Sequence, residues 1–518
     1  MASNLKHIKR SLQIARAFAK YRCYFFLKGT RLDKPARILG FILAPSQTST
    51  SLIMSDGQKL TQIFQTLGPC FIKLGQSLSV RSDIIGDKLA EDLSKLQDKL
   101  PPFPTAEAKQ IIETELGRNF NSIFSQFNEQ PAAAASIAQV HFARDLEGNE
   151  VAVKILRPNI ESKFFKDINL LHWLAKLINK KFPEYRRLKL NEVVNTLEIT
   201  SIIEMDLQFE AASANELAEN FKDDEDIRIP KIYWQNSSSR VMTLEKFVGI
   251  PIDETKRLQA AGLDLNNIIK KSANIFLKQT LRDGFFHADM HPGNVLVDNN
   301  GKICVYDFGI MGRIDRKTRI FMAEMLLGFL NRDYQKVADI HFEAGYIPQN
   351  QSRELFAQAC RAIGEPIFGL PQSHISIATL LQKLFKVTER FQMETQPQLL
   401  LLQKTMMMAE GIARKLDPQV NFWELSKDLI EDWGKENLGP KAKIEEKYKQ
   451  AINALKNFGE AITNLNQVIT PKGIVLHPDT INSMVKSFRL EKKENNFMKG
   501  FITAIFLAII TLITIYNL

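Results

Sequence analysis

Four groups in one fixed order constrain this chain more than anything else in it. They are Lys154 in "VAVKIL", a glutamate further along, "HADMHPGNVLV" from His287, and "DFG" from Asp307. Phosphoryl transfer asks little covalent chemistry of a protein but a great deal of charge management. A strand lysine must neutralise phosphates and a helix carboxylate must hold that lysine. An aspartate must orient or deprotonate the acceptor, and an Asn with a second Asp must hold magnesium. Asp289 and Asn294 have the D-x-x-x-x-N spacing of a kinase catalytic loop. The stretch "NVLVDNNGKICVYDFG" reads as a tight hairpin closed by Asn300-Gly301, which returns Asp307 to the side of Asn294. Asp289 is therefore the candidate catalytic residue, Asn294 and Asp307 the candidate metal ligands, and ATP with Mg2+ the implied cofactors. A rival set, His287, Asp289 and His291 around a transition metal, leaves Asn294, the hairpin and DFG unexplained.

One part of this scheme is unusual. A strand carrying Val-Ala-x-Lys normally follows a glycine-rich loop that folds over phosphates. Here the preceding stretch is "PAAAASIAQVH", Pro131 to His141, with no glycine between Pro131 and Arg144. Glycine lets a loop take positive φ and press its amides close to a phosphate, whereas alanine largely forbids it. An alanine loop is expected to be stiffer and to alter nucleotide geometry.

Around these motifs the chain alternates in a readable way. Residues 60–100 look helical and stop at "PPFP", Pro101 to Pro104. "AQVHFAR" and "EVAVKIL" straddle the turn-rich "DLEGN" as a strand pair. Residues 162–220 are again helical, and "RVMTLEKFVG" suits a strand that leaves one lobe for another. A long helix over "LDLNNIIKKSANIFLKQTLRDGFF" and then helix after helix from 315 to 470 complete the pattern, with Met406, Met407 and Met408 expected in a helical core. The fold class is α+β with a large helical lobe.

Charge and the two ends add further expectations. Four cysteines without paired spacing argue against a disulfide framework or a zinc site. The net charge is +10, and residues 1–37 hold ten basic residues against Asp33 alone. A nucleic-acid protein would spread its basic face over a folded domain, so no nucleic-acid partner is expected. Leu5, Ile8, Leu12, Ala15 and Ala19 recur at helical spacing inside the basic segment. That pattern suits an anionic membrane surface, and equally a helix packed on the protein with a solvated face. At the other end "FITAIFLAIITLITIY", Phe501 to Tyr516, carries no charge and is preceded by Lys486, Arg489, Lys492, Lys493 and Lys499. It reads as a C-terminal transmembrane helix, leaving the bulk of the protein in the cytoplasm.

With "FIKLGQSLSVRSD" (Phe71 to Asp83) and "EMDLQFEAASAN" (Glu204 to Asn215), these motifs resemble the UbiB family of atypical kinases, also called aarF-domain-containing kinases, over residues 55–420. The resemblance implies a two-lobed, protein-kinase-like fold with an N-terminal family-specific helical extension and the C-terminal transmembrane helix. Its expected divisions are 1–54 basic amphipathic segment, 55–118 extension, 119–248 N-lobe, 249–440 C-lobe, 441–496 helical linker and 497–518 anchor. It further implies that Lys73, Gly75 and Gln76 form a K-x-G-Q signature covering the active site, with Glu204 and Asp206 as the E-x-D motif and Glu204 the partner of Lys73. Ala132, Ala133, Ala134, Ala135, Ser136, Ile137, Ala138, Gln139 and Val140 become the nucleotide loop. Lys154 becomes the ATP lysine and Glu210 its partner. Met290 and Gly86 depart from the family by standing where prolines are usual. A site covered in this way favours small acceptors or water over protein side chains, and no A-P-E follows DFG. The function implied is an atypical kinase or ATPase of ubiquinone biosynthesis on the bacterial inner membrane. Its partners would be membrane lipid, polyprenyl quinone precursors and other enzymes of that route. A small-molecule kinase and a nucleotide-binding scaffold are the alternatives.

Overall fold

The strand that carries Lys154 belongs to a sheet whose two faces do different work. In a computed structural model the described residues are 2–25, 28, 33–44, 53–79, 85–94, 96, 101–181, 190–368, 397–420 and 422–438, with scattered residues in 380–393 and two short strands at 469–470 and 473–474. Strands β1 (Phe124–Phe127), β2 (Ala133–Ala134), β3 (Ala138–Asp145) and β4 (Glu150–Leu156) pair antiparallel, and β6 (Val241–Glu245) adds to the far edge of β4. Between them in sequence lies the short β5 (Ile227–Arg228), which pairs elsewhere. Alternation places Val151, Val153 and Ile155 on one face, in a core with Phe103, Ala108 and Ile112. Ala108 and Ile112 lie on a helix, Thr105–Leu116, that closes this face. Lys154 points the other way, paired across the sheet with Val140 and Met242.

Three helices flank that second face: Ile160–Lys181, Leu190–Glu204 and Leu207–Asn220. Asp206 caps the third, its Oδ1 accepting the Gln208 amide at 3.0 Å. The second lobe begins at β7 (Ile250–Pro251) and holds the helix Leu265–Leu277, which ends in a π turn over Lys278–Asp283. Then come β8 (Phe285–His287), β9 (Val295–Val297), β10 (Ile303–Val305) and β11 (Met311–Arg313). The β9–β10 hairpin forms as the sequence predicts. Of Asn300-Gly301 only Gly301 takes positive φ, +72°, and Asp298 Oδ1 organises the turn by accepting from the Asn300 and Lys302 amides. Helices Arg316–Leu330, Tyr334–Glu343, Arg353–Phe368, Pro397–Leu416 and Phe422–Leu438 follow. Met406 is core there, whereas Met407 is exposed.

The basic N-terminal helix, Ala2–Lys20, packs on the protein. Ile14, Ala15 and Phe18 join the principal core, and the Arg10 guanidinium pairs with Asp167 at 2.7 Å and donates to the Leu67 carbonyl. Gly75 allows its helix, Pro69–Ser79, to pack closely, since a Cβ there would meet Leu96 at 2.3 Å and a Phe64 ring carbon at 2.7 Å. Gly86 takes φ +84°, which a proline ring cannot reach. All four cysteines are free and buried.

The expected C-terminal transmembrane helix requires correction. No helix among the described residues is long and apolar enough to cross a membrane, and the anchor expected over 497–518 lies outside them. An uncharged run is a matter of composition, whereas spanning needs a formed helix of about 20 residues with its backbone satisfied. Among the described residues the kinase-like α+β fold stands without a span, and the single-span placement in the inner membrane is not supported. The expected linker over 441–496 also lies outside the described residues, apart from the two short strands.

His341 supplies a prediction about acid stability. It is buried against Phe356, its Nδ1 bonds the Val337 carbonyl at 2.7 Å, and burial pushes its pKa down to about 4. The unfolded chain therefore takes up this proton first, near pH 6.5. The stability that His341 contributes is complete above that pH and is lost on the way down to pH 4, by about 3 kcal/mol. Denaturant unfolding between pH 7 and 4 should show this slope, and His341→Gln should flatten it.

Candidate active site

The groups that sequence order brought together also meet in space. Lys154 Nζ lies 2.6 and 2.9 Å from the two Glu210 carboxylate oxygens and 3.4 Å from Asp307 Oδ1. The Phe308 amide donates to the same Glu210 at 3.3 Å, so DFG and the Leu207–Asn220 helix share one carboxylate. Asp307 itself takes φ +71°, a left-handed backbone that aspartate adopts at some cost. Lys154 holds the Asp307 carboxyl down to about 2, against the opposing effect of burial. Burial alone would lower Lys154, but the Asp307 and Glu210 carboxylates outweigh it and the net direction is upward. The strand lysine stays an ammonium and Asp307 an anion at neutral pH.

His287 links this cluster to the D-x-x-x-x-N loop. Its amide donates to Gln279 Oε1 at 2.8 Å, a side chain placed by the π turn. Its Nδ1 accepts the Asp289 amide at 3.1 Å, which leaves Nε2 to carry the proton and donate to the Asp307 carbonyl at 2.7 Å. Burial lowers its pKa and keeps it neutral. Asn294 Nδ2 then reaches back to the Asp289 carbonyl at 3.0 Å and to Oδ2 at 3.3 Å. Glu210, Lys154, Asp307, His287, Asp289 and Asn294 thus form one unbroken chain of contacts.

The rival transition-metal set does not assemble. Both His287 nitrogens are engaged, His291 Nδ1 accepts the Gly293 amide, and no group of three His, Cys, Asp or Glu among the described residues is arranged around a metal. Magnesium asks for less, since one or two protein oxygens suffice when phosphates supply the rest. An ionised Asp307 and the Asn294 oxygen are that kind of donor set.

The alanine loop is a tight hairpin. Ala133 pairs with Val140 and Ala134 with Gln139, while the Ala135 amide donates to the Ala138 carbonyl at 2.8 Å. Among non-glycine residues with positive φ none lies between Pro131 and Arg144, as the alanines require. The Ser136 hydroxyl at its tip is buried and has no hydrogen-bond partner, a donor suited to a phosphate oxygen. Gln139 is different: its side chain turns to the back of the sheet and bonds the Phe103 backbone and His141. Arg157, which the sequence reading passed over, pins the loop by donating to the Ala135 carbonyl at 2.9 Å and the Pro101 carbonyl at 3.0 Å. An Ala134→Gly substitution is expected to loosen this hairpin and change ATP and ADP affinities by several fold, read by nucleotide titration. Equal affinities in both proteins would refute this account of the alanines.

The family-specific residues form a second ion pair. Lys73 Nζ lies 2.6 Å from Glu204 Oε2, and Glu204 ends one helix while Glu210 lies in the first turn of the next, with Asp206 as the cap between. Each lysine therefore has its own carboxylate, and both carboxylates come from one short stretch. Gln76 stands on the same helix as Lys73. Sequence reasoning also missed Lys404, whose Nζ lies 3.6 Å from Asp289 Oδ1. No local motif surrounds it, and only the helical packing brings it there.

A two-lobed cleft with a strand lysine, its helix glutamate, a D-x-x-x-x-N loop and DFG defines a kinase-like fold. The ABC1 atypical kinase-like domain matches residues 95–341 and the UbiB helical domain residues 360–421. The chain is 40% identical over 469 residues to a probable protein kinase UbiB of Marinobacter nauticus, covering 90% of this chain and 85% of that one. It is 38% identical over 452 residues to a probable protein kinase UbiB of Xylella fastidiosa, with coverages of 86% and 82%. Among solved structures, the Rv3197–erythromycin complex from Mycobacterium tuberculosis is 24% identical, covers 74% of this chain and 97% of its own, and has a TM-score of 0.49. The chain belongs to the UbiB family of atypical kinase-like proteins.

Proposed function

We propose that this protein binds Mg–ATP between its lobes and transfers or hydrolyses the terminal phosphate in support of ubiquinone biosynthesis. The observation that carries the reading is the unbroken contact chain from Glu210 through Lys154, Asp307 and His287 to Asp289 and Asn294. Lys154 would neutralise phosphate oxygens, with Glu210 fixing its position. Asp307 and the Asn294 oxygen would hold Mg2+, which when bound offsets the charge of the transferring group. Asp289 would orient the acceptor hydroxyl, or a water, and take its proton. Polyprenyl quinone precursors and membrane lipid are the partner class we favour. Ile38, Phe41 and Ile42 on the helix Asp33–Leu43 are exposed beside Arg37, a surface suited to a lipid-tailed partner.

Incubation with terminally labelled ATP and quinone head-group mimics divides the enzymatic readings. A labelled acceptor establishes a small-molecule kinase, whereas free phosphate alone establishes an ATPase. Quinone profiling of a deletion strain tests the biosynthetic role, with wild-type protein restoring the quinone and Asp289→Asn failing to do so. If Asp289→Asn complements fully while the protein binds nucleotide without turnover, it is a scaffold.

A further inference from the structure

We propose that Lys404, on the helix Pro397–Leu416, is a positioning residue of the phosphotransfer site that fixes the Asp289 carboxylate toward the acceptor. This deepens the phosphotransfer reading above and rests on it. The two oxygens of Asp289 face different groups, one a hydrogen-bond donor and the other an ammonium at ion-pair distance. Asn294 Nδ2 donates to Oδ2 at 3.3 Å, and Lys404 Nζ stands 3.6 Å from Oδ1. Asn294 belongs to the catalytic loop itself, whereas Lys404 comes from the segment matched by the UbiB helical domain. Together they define the carboxylate plane, which a single contact would leave free to rotate.

The helix is well placed to hold that geometry. Met290, the residue after Asp289, is buried in a small apolar gap with Phe276, Val295, Ala409, Ile412 and Ala413. The catalytic loop and the Lys404 helix therefore line one apolar gap, and Asp289 and Lys404 share that frame. Met290 is also the position where a proline is usual, so the thioether makes a contact that a proline ring would not reach in the same way.

Charge and exposure point to orientation rather than stability. Among the described residues, Lys154 pairs with Glu210 and Asp307, and Lys73 with Glu204. His291, two residues beyond Asp289, is exposed and spends Nδ1 on the Gly293 amide. The Lys404 and Asp289 side chains are 31% and 32% exposed, and pairs of that kind add little to folding stability. The same openness lets an acceptor hydroxyl reach the carboxylate. In the step, that hydroxyl gives its proton to Asp289 and its oxygen bonds the terminal phosphorus. The bond from phosphorus to the bridging oxygen breaks, and ADP leaves with the electron pair. Lys404 would keep Asp289 aimed until the proton arrives.

Full-length wild type, Lys404→Gln and Lys404→Arg test this through Mg–ADP titration calorimetry, thermal melting and steady-state ATP turnover. The expected result for Lys404→Gln is unchanged melting, Mg–ADP affinity within about twofold of wild type, and kcat lowered about tenfold to hundredfold with little change in KM. Lys404→Arg should recover most of kcat, because it restores a cation of similar reach. Wild-type kcat in Lys404→Gln overturns the proposal, as does an Arg variant no better than Gln, or a parallel loss of Mg–ADP binding. A wild-type protein that binds no Mg–nucleotide, or never turns it over, overturns the phosphotransfer reading and this proposal with it.

Discussion

Replacing Lys154 with Met is expected to weaken Mg–ATP binding at least a hundredfold and to leave no measurable turnover. Lys154 is the cation between Glu210 and Asp307. Removing it takes away the neutralising charge for the phosphates and leaves two carboxylates facing the same cleft. Truncating one partner of a buried pair typically costs about 3–5 kcal/mol, because the remaining charge is stranded. Glu210 would relieve part of that by taking up a proton, since burial already raises its carboxyl above the ordinary range. A nucleotide brought into such a site meets negative charge on both sides. Asp307→Asn is expected to be comparably severe but selective, with loss of Mg2+-dependent binding. Titration of fluorescent ATP with and without Mg2+ measures both, and near wild-type affinity in Lys154→Met would dismantle the nucleotide assignment.

Asp289→Asn should separate binding from chemistry. Asp289 touches neither Lys154 nor Asp307 directly; His287 links it to them through its own amide and the Asp307 carbonyl. Asparagine preserves the shape and the contact with Asn294, so nucleotide affinity should stay within about threefold. The side chain can no longer take a proton, and general-base contributions of this kind run to about 10²–10⁴-fold in rate. Turnover is therefore expected to fall by about that factor with little change in affinity. Isothermal titration beside a phosphate-release assay gives both numbers, and an Asn variant as active as wild type would remove Asp289 from the chemistry.

Local patterning carries a large part of this architecture. The β3–β4 pair around "DLEGN" and the β9–β10 hairpin follow from short-range turn and strand chemistry, and the structure has both. The alanine hairpin without positive φ also follows, because a Cβ limits the backbone whatever surrounds it. The direction of the Gln139 side chain was not legible for the converse reason. Strand alternation places it opposite Lys154's face, and only the pairing register reveals which face looks into the cleft. The terminal apolar run lies outside the described residues, and among those no helix is long and apolar enough to cross a membrane.

By itself the sequence determined the order and spacing of the charged ligands, because D-x-x-x-x-N and DFG are held by the backbone of one loop and one hairpin. Through the family resemblance it also marked the carboxylates that Lys73 and Lys154 use, Glu204 in the E-x-D motif and Glu210 six residues further on. The tertiary structure alone decided that the basic N-terminal helix is core-packed, that Arg157 pins the alanine loop, and that Lys404 stands beside Asp289. Those contacts join residues from separate elements, and nothing in local chain chemistry specifies them. They exist because apolar faces such as those of Phe18 and Met290 had to be buried, and the polar groups beside them were carried into place by that packing.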